Sequence, residues 1–253
     1  MWFAGSIMIP VMMHSQPDGE TCGPTALHAI YQYYGLNCTL DEVIGRVERT
    51  ISGGSLAAYL GKDALLRNFS AIIYVNNLNI FDPTWFKRGQ DNRELLIEKL
   101  TLQLQFKKDP ELVQASEAYI QFLSLGGEIK FETLNKQLLK KYFNQSIPIL
   151  TGLSATYLYK DSRTVYVGSE AFNHDVEGTP CGHFVILCGY DDSHHRVIVA
   201  DPYEENPLST DNYYKVNISR LINAIMLGVL TYDANLLIIQ PKKDDDANHC
   251  GHG

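Results

Sequence analysis

Cys22 stands in the run Thr-Cys-Gly-Pro-Thr, which places it at the start of a helix. Proline is tolerated inside a helix only in the first turn, where its missing N–H would have had no partner. Unpaired backbone amides and the helix dipole concentrate positive potential at that end and favour a thiolate, the nucleophilic form of cysteine. Gln16 lies upstream across Pro17-Asp18-Gly19, a turn that lets its side-chain amide fold back beside the thiol. Together with the backbone N–H of Cys22 it would hold the oxyanion formed in acyl transfer. A cysteine filling a gap in the core and an exposed loop glutamine are the plain structural readings of the same two residues.

Such chemistry needs a base. Of the eight histidines, His183 follows Pro180-Cys181-Gly182 and opens the apolar run Phe-Val-Ile-Leu, so a strand behind it would hold its ring at the mouth of a cleft. The next strand, Val197-Ile-Val-Ala200, ends at Asp201-Pro202. A hairpin turning at Asp191 to His195 brings its far end back beside His183. Asp201 would then accept a proton from the ring nitrogen that faces away from Cys22, fixing the tautomer. A satisfied edge histidine and an ordinary Asp-Pro turn are the alternatives. His194 and His195 belong to the turn itself, and His14, His28 and His174 have no comparable setting.

The elements that must position these groups divide into two halves. A helix is predicted over Glu20 to Tyr34, closed by Gly35, and a second begins at the capping box Thr39-Leu-Asp-Glu42. A third spans Ser55 to Asn68, with a strand at Ala71 to Val75. Residues 92 to 143 read as almost wholly helical, with Asp109-Pro110 opening the middle helix and Gly126-Gly127 ending it. After Pro148 come β-rich runs at Ile149 to Tyr159, Thr164 to Val167, His183 to Tyr190, Arg196 to Ala200, Tyr213 to Val216 and Asn235 to Ile239. One helix near Asn217 to Met226 interrupts them. Helices first and strands second is an α+β order, not the alternation of a doubly wound sheet.

The chain has 253 residues and a net charge of −8, which disfavours a nucleic-acid partner. Five widely spaced cysteines cannot make a complete disulfide framework, and no Cys-x-x-Cys pair suggests zinc. A reducing, cytoplasmic setting is expected, with Cys38 and Cys188 as core residues. Residues 1 to 13 are expected to form a buried first strand, because they lack a basic leading region and Pro10 breaks their apolar run. No apolar stretch approaches the ~20 residues of a membrane span. Residues 242 to 253 should be a disordered tail, with His249, Cys250 and His252 as frayed-end residues. Tyr157, Tyr159, Tyr213 and Tyr214 are expected in core or edge packing, with a groove lining as the alternative. A thiol metal or redox module built on Cys181, Cys188 and His183 is poorly spaced for tetrahedral ligation.

The segment from Gln16 through Cys22-Gly-Pro-Thr-Ala-Leu to Tyr33-Tyr34-Gly35 and Thr39-Leu-Asp-Glu42 resembles the active-site helix of papain-like cysteine peptidases. Within them it is most similar to the bacteriocin-leader-processing, or double-glycine, peptidase family. Gly182-His183-Phe-Val-Ile-Leu with Gly189-Tyr190-Asp191-Asp192, then Val199-Ala-Asp201-Pro202, is similar to that family's histidine and aspartate blocks. The likeness covers about residues 14 to 50 and 148 to 240. It implies an α+β papain-like fold over residues 1 to 241, with the active-site helix packed on a C-terminal antiparallel sheet; the helical stretch at about 81 to 143 is longer than compact members need and is expected to be an insert. It implies Cys22 as nucleophile, His183 as general acid and base, Asp201 as orienter and Gln16 as oxyanion donor, with no cofactor or metal. Exporter-linked members carry membrane and nucleotide-binding regions, and this sequence has neither. The expected activity is a cysteine peptidase or amidase acting on a peptide or small amide. An acyltransferase of the phytochelatin-synthase kind, or a peptide-binding module without turnover, is the alternative.

Overall fold

A computed structural model describes residues 6–87, 91–167, 170–232 and 234–242. Residues 1–5 of the expected first strand and the tail from 243 onward, with His249, Cys250 and His252, lie outside the described residues. The helical half contains α1 (Cys22–Tyr33), α2 (Leu40–Arg46), α3 (Ala57–Leu66), α4 (Arg93–Gln103), α5 (Pro110–Ser124) and α6 (Lys136–Phe143). The strands are β1 (Ser6–Met8), β2 (Phe69–Val75), β3 (Glu128–Lys130), β4 (Ile149–Ser154), β5 (Thr164–Val167), β6 (Glu170–Asn173), β7 (Gly182–Asp191), β8 (Arg196–Ala200), β9 (Tyr213–Asn217) and β10 (Asn235–Pro241). Two helices, α7 (Ala155–Tyr159) and α8 (Ile218–Leu227), lie among the later strands.

The main sheet runs β3-β2-β10-β4-β7-β8-β9, antiparallel at every pairing except β2 with β3. The α+β class follows directly from this arrangement. β7 is its spine. Phe184, Val185, Ile186, Leu187 and Cys188 are all buried, as expected of a strand covered on both faces. β4 pairs with its first half, Gly182 to Leu187, and β1 pairs with its last residues, Gly189 to Asp191. A side chain at Gly189 would lie 2.2 Å from the carbonyl oxygen of Ile7, so only glycine lets β1 approach. Beyond β1 the chain leaves the sheet, with Ile9, Val11 and Met13 buried.

Four sequence expectations need correction. The first helix begins at Cys22, two residues after the predicted start, because Asp18 to Thr21 form a turn of their own. The run Ile149 to Tyr159 is a strand only as far as Ser154. There the Ser154 hydroxyl accepts the N–H of Tyr157 and caps α7. Residues 92 to 143 are broken by β3, which extends the sheet beside β2. Cys188 is fully buried as expected, but Cys38 is only half-buried in the loop before α2. Buried side chains of the insert, including Leu96, Leu100, Tyr119 and Phe122, belong to the same core cluster as those of β4, β7 and β10.

Candidate active site

α1 enters the core almost entirely buried, from Cys22 through Tyr31. Its first turn packs closely on β7: a Cβ on Gly23 would lie 3.1 Å from the Ser55 Cβ and 3.3 Å from the Phe184 ring. Glycine at this position sets the height of Cys22 over the strand whose next residue back is His183. The amides of Cys22 and Gly23 fall among the first N–H groups of the helix, which have no intrahelical acceptor. Cys22 is 9% exposed and His183 7%.

The Cys22 side chain lies close enough to the His183 ring to favour its charged form. His183 Nε2 lies 2.8 Å from Asp201 Oδ1, which leaves Nδ1 outside that pairing. Burial opposes a charged ring, but the Asp201 carboxylate, with a smaller contribution from the Cys22 side chain, outweighs it and holds the His183 pKa well above its ordinary value. Asp201 shows the converse. Burial disfavours its charge, and the His183 ring with its other donors keeps its pKa below the ordinary carboxylate value.

Asp201 reaches His183 through the hairpin that the sequence predicts, with Asp191 opposite Arg196 and Ala200 opposite Ile186. The carboxylate is 0% exposed and fully bonded. Oδ1 accepts from His183 Nε2 and from the Tyr203 N–H at 2.9 Å. Oδ2 accepts from the hydroxyls of Tyr159 and Tyr214, each at 2.7 Å. The Tyr159 and Tyr203 rings flank the imidazole, with centroids 6.2 and 6.5 Å away. Tyr159 and Tyr214 are therefore anchors of the acid, beyond the core or edge packing expected of them. Tyr213, expected likewise, donates its hydroxyl to the carbonyl of Val11.

Gln16 sits beside this group but not in hydrogen-bond contact with Cys22 among the described residues. Its backbone N–H donates to the Pro202 carbonyl at 2.8 Å, tying the turn to the end of β8. Its side-chain Nε2 donates to the Asp18 carbonyl at 2.7 Å, while Oε1 is buried with no partner among the described residues. An amide nitrogen carries two hydrogens, so one remains to donate.

The remaining candidates lie elsewhere. His28 is buried, its Nε2 3.1 Å from the Cys38 carbonyl, with its pKa lowered by burial. His194 meets the Asp191 carboxylate in the hairpin turn. The Cys188 sulfur lies against the Ile198 carbonyl, and burial pushes its pKa up to about 12. Among the described residues, no group of three His, Cys, Asp or Glu side chains is placed to hold a metal ion. Nor is any helix among them long and apolar enough to cross a membrane.

The sequence model of the Peptidase_C39-like family matches residues 8–223. No curated protein matches. Among solved structures, the chain is similar to a double-glycine-motif protease from an AMS/PCAT transporter in complex with its leader peptide. That match has 14% identity and a TM-score of 0.44, and it covers 95% of this chain and all of that one. The chain is also similar to xylellain, a cysteine protease from Xylella fastidiosa, at 15% identity and a TM-score of 0.43 over 96% of this chain and 88% of that one.

Proposed function

The chain belongs to the Peptidase_C39-like family, and from that premise we propose that it is a cysteine peptidase that cuts an amide bond through Cys22, His183 and Asp201. The observation that carries this reading is the buried 2.8 Å pairing of His183 Nε2 with Asp201 Oδ1, with Cys22 at the start of α1 near enough to favour the charged ring.

The reaction runs in two halves. The Cys22 thiolate adds to the substrate carbonyl carbon, and the carbonyl oxygen becomes an oxyanion. The Cys22 N–H and the second hydrogen of Gln16 Nε2 donate to it, the glutamine being carried on a turn bonded to Asp18 and Pro202. As the tetrahedral species collapses, the C–N bond breaks and protonated His183 gives its Nδ1 proton to the leaving amine. What remains is a thioester on Cys22 and a neutral imidazole. Water then attacks the thioester, His183 takes its proton, and the carboxylic acid leaves as the thiolate re-forms. Asp201 holds the ring throughout and touches no substrate atom. If an amine replaces water in the second half, the same site performs acyl transfer.

Peptide digestion in water enriched in oxygen-18 tests both halves. New C-termini carrying the label, produced by the wild type and not by Cys22→Ala, support hydrolysis. Amine-capped products without label assign transfer, and identical peptide profiles for the two proteins overturn the enzymatic reading.

A further inference from the structure

The short helix α7 faces two ways. Tyr159 at its end reaches Asp201, while Thr156, Tyr157 and the following Lys160 line a cavity of about 360 Å³. The cavity is tied to the start of β7. Ser154, in its wall, pairs with Gly182; the Thr156 hydroxyl accepts the Cys181 N–H at 2.9 Å; and the Ala155 N–H donates to the Cys181 carbonyl. Pro180 also lines it, three residues before His183. Extended chain advances ~3.3 Å per residue, so a substrate strand running past His183 would reach this cavity two or three residues from the bond being cut.

Its chemistry is specific. Tyr157, Pro180, Leu227 and Leu230 give it an apolar wall, with Leu230 63% exposed. Lys160, Arg163 and Arg220 supply three positive charges, and no Asp or Glu lines it, although the whole chain carries a net charge of −8. Among the described residues none of these three cations makes an ion pair. Arg163 donates to the carbonyls of Asp175 and Val176, and Arg220 donates from Nη2 to the carbonyl of Leu158. Arg220 Nε is buried and has no acceptor among the described residues. Of the groups a peptide carries, a carboxylate best matches a wall of guanidinium and ammonium groups that have no acid partner among the described residues.

We propose that this cavity is a substrate subsite that takes an apolar side chain next to a carboxylate, two or three residues from the scissile bond. The assignment rests on the peptidase reading for its position and on the cavity's own lining for its chemistry.

The test uses a synthetic library of mixed dodecapeptides with mass-spectrometric readout in two arms. In one arm the wild type cuts the library; in the other, immobilised Cys22→Ala retains members of it. Peptides with an apolar–acidic pair within three residues of the cut should be processed at least tenfold faster than counterparts carrying Asn or Gln. Lys160→Glu should abolish that ratio or turn it toward Lys and Arg, and Leu230→Asp should lower retention of the apolar partner. Cutting without acidic preference, or a preference that Lys160→Glu leaves intact, overturns the subsite and leaves the peptidase standing. Acid-selective retention without any cutting by the wild type keeps the subsite and overturns the peptidase. Neither cutting nor selective retention overturns both.

Discussion

His183 Nε2 and Asp201 Oδ1 lie 2.8 Å apart in a place where Asp201 is fully buried and His183 is 7% exposed. Asp201 receives three further hydrogen bonds, from Tyr159, Tyr214 and the Tyr203 backbone, so its carboxylate has no freedom to turn away. A ring held this way keeps one orientation, with Nδ1 turned away from Asp201. Leaving any member of such a buried charged network unpaired costs several times what an exposed pair contributes.

This pair makes stability depend on pH in two limbs. Asp201 titrates below its ordinary value of 3.8 in the folded protein, so its contribution is complete above that value and is lost as pH falls through the folded pKa. His183 titrates above its ordinary 6.5, so its contribution is complete below 6.5 and is lost as pH rises through the folded pKa. The denaturant midpoint should therefore plateau between about 4 and 6.5 and decline on both sides. Tyr214→Phe removes a donor that depresses Asp201, so its acid limb should move to higher pH. Urea midpoints measured from pH 3 to 9 check both statements; a profile unchanged by Tyr214→Phe would contradict them.

Gly23→Ala should separate activity from stability. The added methyl meets Ser55 and the Phe184 ring at 3.1 and 3.3 Å, and either the helix start or those side chains must give by a few tenths of an ångström. Overpacking of this size costs about 1–3 kcal/mol. A lift of Cys22 off β7 by that amount should lower kcat by up to about tenfold, short of the ~10²-fold loss of a 1 Å misplacement of a reacting group. The check is urea denaturation beside steady-state kinetics.

Gln16→Ala should slow peptide turnover by about 10²–10³, the usual loss for one oxyanion donor. It should leave alkylation of Cys22 by iodoacetamide nearly unchanged, because alkylation forms no oxyanion. Parallel measurement of the two rates decides whether Gln16 acts on the intermediate or only shapes the turn at Asp18.

Much of this arrangement is legible in the sequence because its signals are local. Cys22-Gly23-Pro24 marks a helix start, Thr39 to Glu42 form the capping box in full, and the Asp191 to His195 turn marks the hairpin that brings Asp201 back toward His183. The register shift between Leu187 and Gly189 that puts the two on one face has no signal in that turn. What escapes has no local signature. Tyr159 and Tyr214 reach Asp201 from 42 and 13 residues away, and nothing in either flanking run distinguishes a tyrosine that bonds a buried acid from one that packs an edge. Both α7 and β3 are too short for periodicity to declare them, so Ser154 as a cap and the alternation in Glu128-Ile-Lys130 carry the whole signal. Gln16 shows the remaining gap. Its turn is readable, but the present partner of its amide is the Asp18 carbonyl, a contact set by backbone geometry that residue types do not encode.

The most direct measurement is site-resolved alkylation. Wild-type protein, His183→Ala and Asp201→Asn are treated with limiting iodoacetamide across pH 5 to 9, and labelling at each cysteine is read by peptide mass spectrometry. The account predicts that Cys22 is labelled at least tenfold faster than Cys38 or Cys188 at neutral pH, and that His183→Ala removes most of this advantage while Asp201→Asn removes part of it. Equal labelling of the thiols, or a Cys22 rate indifferent to His183→Ala, would contradict it.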